Sequence, residues 1–191
     1  MSPKLRWMWA ATFGVIALDQ GTKWLTRALL RERVDEFMLI PGWFGFTHAT
    51  NRGAAFSMME DSPHRLTFFL TFTVVAAVVI VVASRLLQTG DRWAAAGLGV
   101  LLGGTLGNGI DRAVFGQVTD MIKVAAGSGP LRDWALAQFQ TNVWPIFNVA
   151  DSAIWVGLGI FLLAFLFTRD AGARPLSQHE GPAESSPSLD G

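Results

Sequence analysis

Asp120 and Asp151 stand in the contexts GQVTDMI and FNVADSAIW, each where a loop meets a long apolar run. A carboxylate at the edge of the hydrocarbon region is costly and marks a functional position by default. Two of them at one membrane surface have the makings of an acid/base dyad, because neighbouring carboxylates cannot easily both ionise and one keeps a proton. Each also has a plainer reading. Asn148, three residues ahead of Asp151, is placed to cap the following helix, with Asp151 completing a capping box. Asp120 reads equally as a solvated loop residue ahead of the polar stretch Gly127-Ser128-Gly129.

Other polar residues fall at similar borders. Asp19 and Lys23 are four apart and share a helical face, which suits an ion pair. The neighbouring ammonium would hold Asp19 ionised, so the pair reads as structural, orienting the end of the first apolar segment. In Asn51-Arg52-Gly53-Ala54-Ala55-Phe56-Ser57, Asn51 and Gly53 supply either the backbone geometry of a turn or donors facing a peptide or lipid headgroup. Along Gly103 to Arg112, Asn108 and Arg112 fall on one helical face, with Asp111 three residues from Asn108. These groups either snorkel into the interface or line a polar pocket between helices. The Gly-Lys-Ser/Thr ending of a phosphate loop is absent.

The elements that must hold these residues are set by hydropathy. The chain has 191 residues, 51% hydrophobic and 16% charged, well below the charge content of ordinary soluble domains. Eight Trp and fourteen Phe with no Tyr fit spans that end in amphipathic rings. A helix crossing a bilayer needs roughly 20 apolar residues, and four segments qualify, at about 7–30, 66–83, 93–110 and 147–168. The first is read as a retained span and not a cleaved signal peptide, since no A-x-A site follows and the apolar run continues to Leu30. The third, rich in glycine, suits close helix packing or a kinked end. Residues 1–169 form one membrane domain, and 170–191, rich in Pro, Ser, Gly and Glu, read as a disordered tail.

Both long loops, 31–65 and 111–146, then lie on the side opposite the termini. Residues 37–40 and 43–47 read as a hairpin around Pro41-Gly42, and 131–140 as a short interfacial helix. Lys4, Arg6, Arg85, Arg92, Arg169 and Arg174 flank the short-loop side, and their density there leans toward cytoplasmic termini. Zero net charge points to no nucleic acid. The absence of Cys and three scattered His leave no thiolate or histidine metal site, so neither metal nor cofactor is expected.

Five blocks in order, DQGTK at 19–23, NRGAAFS at 51–57, GGTLGNGIDR at 103–112, VTDMI at 118–122 and FNVADSAI at 147–154, resemble the prolipoprotein signal peptidase (signal peptidase II) family over roughly 7–168. The resemblance implies a four-helix membrane protein with a small outer β-structure. It also implies an aspartic endopeptidase of the bacterial cytoplasmic membrane, its active face outward, cutting signal peptides from diacylglyceryl-modified prolipoproteins. The family's catalytic pair falls on Asp120 and Asp151. Its polar pocket falls on Asn51, Asn108, Arg112 and Asn148, within blocks that also hold Gly53, and its first block on Asp19 and Lys23. Two features depart from the family: Met121 stands where Phe is more usual, and the stretch between Asp120 and Asn148 is longer, with an inserted-looking GSGPLRDWALAQFQ. From the residues alone, a small proton-coupled transporter or channel using the same carboxylates as a relay is the alternative, although no inverted repeat supports it.

Overall fold

The computed structural model describes residues 2–53, 62–88 and 90–172. Helices α1 (Pro3–Leu29), α2 (Arg65–Leu86), α3 (Arg92–Phe115) and α5 (Val149–Gly172) make up most of it. A three-stranded antiparallel sheet of β1 (Glu36–Ile40), β2 (Phe44–Asn51) and β3 (Val118–Val124), in that order, sits with the short helix α4 (Gly129–Phe139) at the end where both long connections run. The hairpin and the short helix form where the sequence predicts them. Residues 54–57 of the NRGAAFS block and the part of the expected tail beyond 172 lie outside the described residues; α5 continues through 170–172.

Two elements differ from expectation. Residues 118–124, read as loop, form β3, whose Val118, Thr119, Ile122 and Val124 are β-branched and suit a pleated surface. Strand β2 supplies the partner, with Ala49 opposite Asp120 and Asn51 opposite Val118. The glycine-rich helix does not end at 110. It runs to Phe115 and stops at Gly116, whose φ of 69° is the left-handed cap that glycine adopts freely.

The interior is built from α3, which packs against α1, α2 and α5. Its glycines permit that crowding. A Cβ on Gly99 would fall 2.2 Å from the Met8 carbonyl oxygen of α1, and one on Gly104 would fall 2.4 Å from that of Ala150 on α5. The large apolar side chains point the other way. Phe68, Phe72, Val75 and Val79 of α2 and Trp155, Leu163, Leu166 and Phe167 of α5 are exposed. A small and polar interior wrapped in exposed apolar residues is the pattern of helices solvated by lipid. Helices α2, α3 and α5 are long and apolar enough to cross a membrane. Helix α1 is as long but carries Lys4, Arg6, Asp19, Lys23 and Arg27.

The α1–α3 contact gives a direct check. Gly99→Val should lower the melting temperature in detergent, by the equivalent of about 1–3 kcal/mol of overpacking. Gly14→Ala, which meets nothing within 4 Å, should leave it unchanged or raise it.

Candidate active site

The polar residues singled out in the sequence converge where β3 and the first turn of α5 meet α1 and α3. Asn148 begins the assembly. It precedes α5, and its side-chain oxygen accepts from the Asp151 backbone N–H at 2.9 Å. The Asp151 carboxylate in turn accepts from the Asn148 N–H at 3.1 Å. The capping box therefore forms, and it fixes Asp151 in place without excluding any other role. The segment before it pairs with β3: the Met121 and Ile122 N–H groups both donate to the Phe147 carbonyl, at 3.0 and 2.7 Å. That pairing sets Asn148 beside Asp120, and its amide nitrogen donates to the Asp120 carboxylate at 2.7 Å.

Asp120 is thus a strand residue, 4% exposed, and not the solvated loop residue of the plainer reading. Asp151 is half-buried. Burial pushes the Asp120 carboxyl up to about 7, and the negative charge of Asp151 adds to the rise. Hydrogen bonds from Asn148 and Asn51 and the positive charge of Lys23 act in the opposite direction. Asn51 shares the Asp120 face of the sheet, and its side-chain oxygen accepts from the Gly53 N–H at 3.0 Å.

Behind the two carboxyls lies a network of charges. Lys23, fully buried, pairs with Asp19 at 2.9 Å and with Asp111 at 3.5 Å, both also fully buried. It donates to the side-chain oxygen of Asn108 at 2.9 Å, and the Asn108 amide nitrogen donates to Asp151 at 2.7 Å. Asp19 accepts from the Ala150 N–H of α5 at 2.9 Å, which occupies one of the donors left open at a helix start. Asp111 accepts from the Thr119 N–H at 2.9 Å, one residue before Asp120. Arg112 donates to the Gly53 carbonyl at 3.1 Å and lies over the Phe69 ring at 4.4 Å.

A family model described as signal peptidase (SPase) II matches residues 11–167. This chain belongs to the signal peptidase II family. It is 40% identical over 163 residues to a lipoprotein signal peptidase of Geobacter sulfurreducens, covering 84% of this chain and 91% of the relative. It is 41% identical over 152 residues to one from Chlorobium luteolum, covering 79% and 86%. In three dimensions it is similar to a bacterial membrane enzyme solved by the in meso method at 2.3 Å, with a TM-score of 0.67, 25% identity, and 88% and 92% of the two chains covered. A second such structure, at 1.9 Å, gives a TM-score of 0.66 at 26% identity, with 82% and 90% covered.

All the residues named from the sequence, Asp19, Lys23, Asn51, Gly53, Asn108, Arg112, Asp120, Asn148 and Asp151, belong to this one assembly. Sequence reasoning left out three others. Arg27 donates to the Thr119 hydroxyl at 2.7 Å and lies 3.6 Å from Asp111. Gln20 donates to Asp19 at 3.0 Å and to Asp111 at 3.3 Å. Thr119 joins both α1 and α3 to β3. Arg27 had a signal: it continues the four-residue spacing of Asp19 and Lys23 along one helical face. Among the described residues no group of His, Cys, Asp and Glu is arranged to hold a metal.

The raised Asp120 fixes a sign for stability against pH. The fold holds this proton up to about 7, whereas an unfolded chain releases it near 3.8. Between those values the unfolded state binds fewer protons, so Asp120's contribution to stability falls as pH rises. Asp120→Asn should remove that decline. Unfolding measured in detergent across this window should show the variant gaining on the parent as pH rises, then a constant difference above it; parallel curves would contradict the assignment.

Proposed function

We propose that the chain is an aspartic endopeptidase that removes signal peptides from diacylglyceryl-modified prolipoproteins, with Asp120 and Asp151 as its catalytic pair. The observation that carries this reading is Asn148, one residue bonded to both carboxylates, by its amide to Asp120 and by its backbone N–H to Asp151. That bridge holds two acidic groups from distant parts of the chain at one small site. The relatives' names, lipoprotein signal peptidases, supply the substrate class.

In this reading one carboxyl is ionised and takes a proton from a water, whose oxygen attacks the carbonyl preceding the lipidated cysteine. The protonated partner gives its proton to the carbonyl oxygen, and collapse of the resulting diol expels the amine with a proton returned from the pair. Asn51, Gly53, Asn108, Arg112 and Asn148 line the pocket, while Asp19 and Lys23 serve as its structural pair. No metal or cofactor takes part.

Four spans, α1, α2, α3 and α5, set the termini in the cytoplasm and the sheet at the outer face of the cytoplasmic membrane. The diacylglyceryl chains stay in lipid while the adjacent peptide bond reaches the aqueous rim. Helix α4 buries none of its residues and exposes Leu131, Trp134 and Phe139, which suits a place at the lipid interface. The single membrane domain ends with α5, and the segment beyond it is dispensable for cleavage. A proton-coupled transporter is the other class such carboxylates admit, and membership of a peptidase family argues against it.

Asp120→Asn and Asp151→Asn should each lower cleavage of a diacylglyceryl-modified precursor by at least about 10²–10⁴-fold while the protein stays inserted and folded. A gel-shift assay with purified protein reads this directly. Near-full activity in either variant would overturn the dyad, and inhibition by chelators would overturn the metal-free mechanism.

A further inference from the structure

The network treats the two carboxyls unequally. A lysine ammonium has donors and no acceptor, so the Asn108 atom 2.9 Å from Lys23 is its oxygen. The same oxygen accepts from the Asn148 amide at 3.1 Å. The Asn108 nitrogen is thereby turned to Asp151, 2.7 Å away, and the lysine charge polarises that donor. Asp151 also occupies the third position of α5, a 24-residue helix, where the positive end of the helix dipole favours an anion. Asp120 has a different setting. It lies mid-strand and outside any helix, its hydrogen-bond partners are the neutral amides of Asn148 and Asn51, the Lys23 charge acts on it with no polarised donor relayed from the lysine, and it is the more buried of the two.

We infer that Lys23, acting through the Asn108 amide, makes Asp151 the charged member of the pair and leaves the proton on Asp120. This rests on the dyad reading and deepens it by giving each carboxyl its part. Asp151 is the base that takes the water proton as the new C–O bond forms. Asp120 is the acid that protonates the carbonyl oxygen. As the C–N bond breaks, the proton on Asp151 passes to the leaving amine, and Asp120 recovers its own from the collapsing diol. Lys23 touches no reacting atom and is a positioning residue.

Charge balance agrees. The ionisable groups of the network behind the pair are Asp19, Lys23 and Arg27 from α1 and Asp111 and Arg112 from α3. With Asp120 and Asp151 these make four carboxylates and three cations among the described residues, so a single proton on the pair brings the cluster to neutrality. The upward displacement of Asp120 to about 7 fits the same distribution.

The test reads protonation without relying on cleavage. Infrared difference spectra of the full-length protein in detergent, at mildly acidic pH, should show a protonated-carboxyl band in the parent. The band should persist in Asp151→Asn and vanish in Asp120→Asn. The reverse pattern overturns the assignment. Loss in both variants or retention in both overturns it too, since neither carboxyl would then hold the proton through its own surroundings. If the dyad reading itself fails, both variants cleave precursor and the spectra still report the proton's place. For Lys23, Lys23→Met should move the rising limb of the kcat/KM–pH profile up by about one pH unit, an approximately tenfold loss on that limb, with the falling limb moving less. Lys23→Arg should restore the rising limb. A uniform loss across pH, or equal movement of both limbs, would reduce Lys23 to a structural part. Should Lys23→Met not fold, the infrared comparison decides alone.

Discussion

The site depends on one ammonium group buried where water does not reach. Lys23 is fully enclosed and answers two enclosed carboxylates, Asp19 and Asp111, as well as the Asn108 oxygen. Each ion withdrawn from water costs several kcal/mol, recovered only with good geometry and satisfied hydrogen bonds. Here the geometry is shared among four elements. Asp19 holds the start of α5, Asp111 holds the start of β3, and Asn108 reaches Asp151. One cation therefore sets the relative positions of the two segments that bring Asp151 and Asp120 together.

The close approach of those elements comes from missing side chains. On α3 the absence of a Cβ at Gly107 leaves room for the Asp19 carboxylate, which would lie 2.6 Å from one. The absence of one at Gly104 lets the first turn of α5 lie against the same helix. Small residues give the contact and polar residues give it direction. Both are needed where lipid offers no hydrophobic drive between helices.

Much of this was legible in the sequence because its signals are local. Apolar runs marked the long helices, Pro41-Gly42 marked the hairpin, and Asp19 and Lys23 declared themselves by their spacing. The capping box of Asn148 and Asp151 was legible too, though as a rival to function; the structure makes the same carboxylate a helix cap and a neighbour of Asp120. Strand β3 was missed because its partner, β2, lies some seventy positions earlier and a seven-residue stretch carries no pairing signal of its own. Gln20 was missed for a similar reason, and the spacing that marks Arg27 does not name what it will meet. Their partners Asp111 and Thr119 become neighbours only when α1 and α3 pack, and an isolated helix surface says nothing about what will face it.

Helix α1 is made before α3, and with Lys23 and Arg27 bare it is a poor guest for hydrocarbon. Asp19 offsets only part of that burden. The rest is answered by Asn108 and Asp111, which are synthesised more than eighty residues later. Helix α1 therefore reaches its final contacts only once its distant partner lies alongside it. The two helices are thus coupled in assembly, because part of the charge on one is met only by the other.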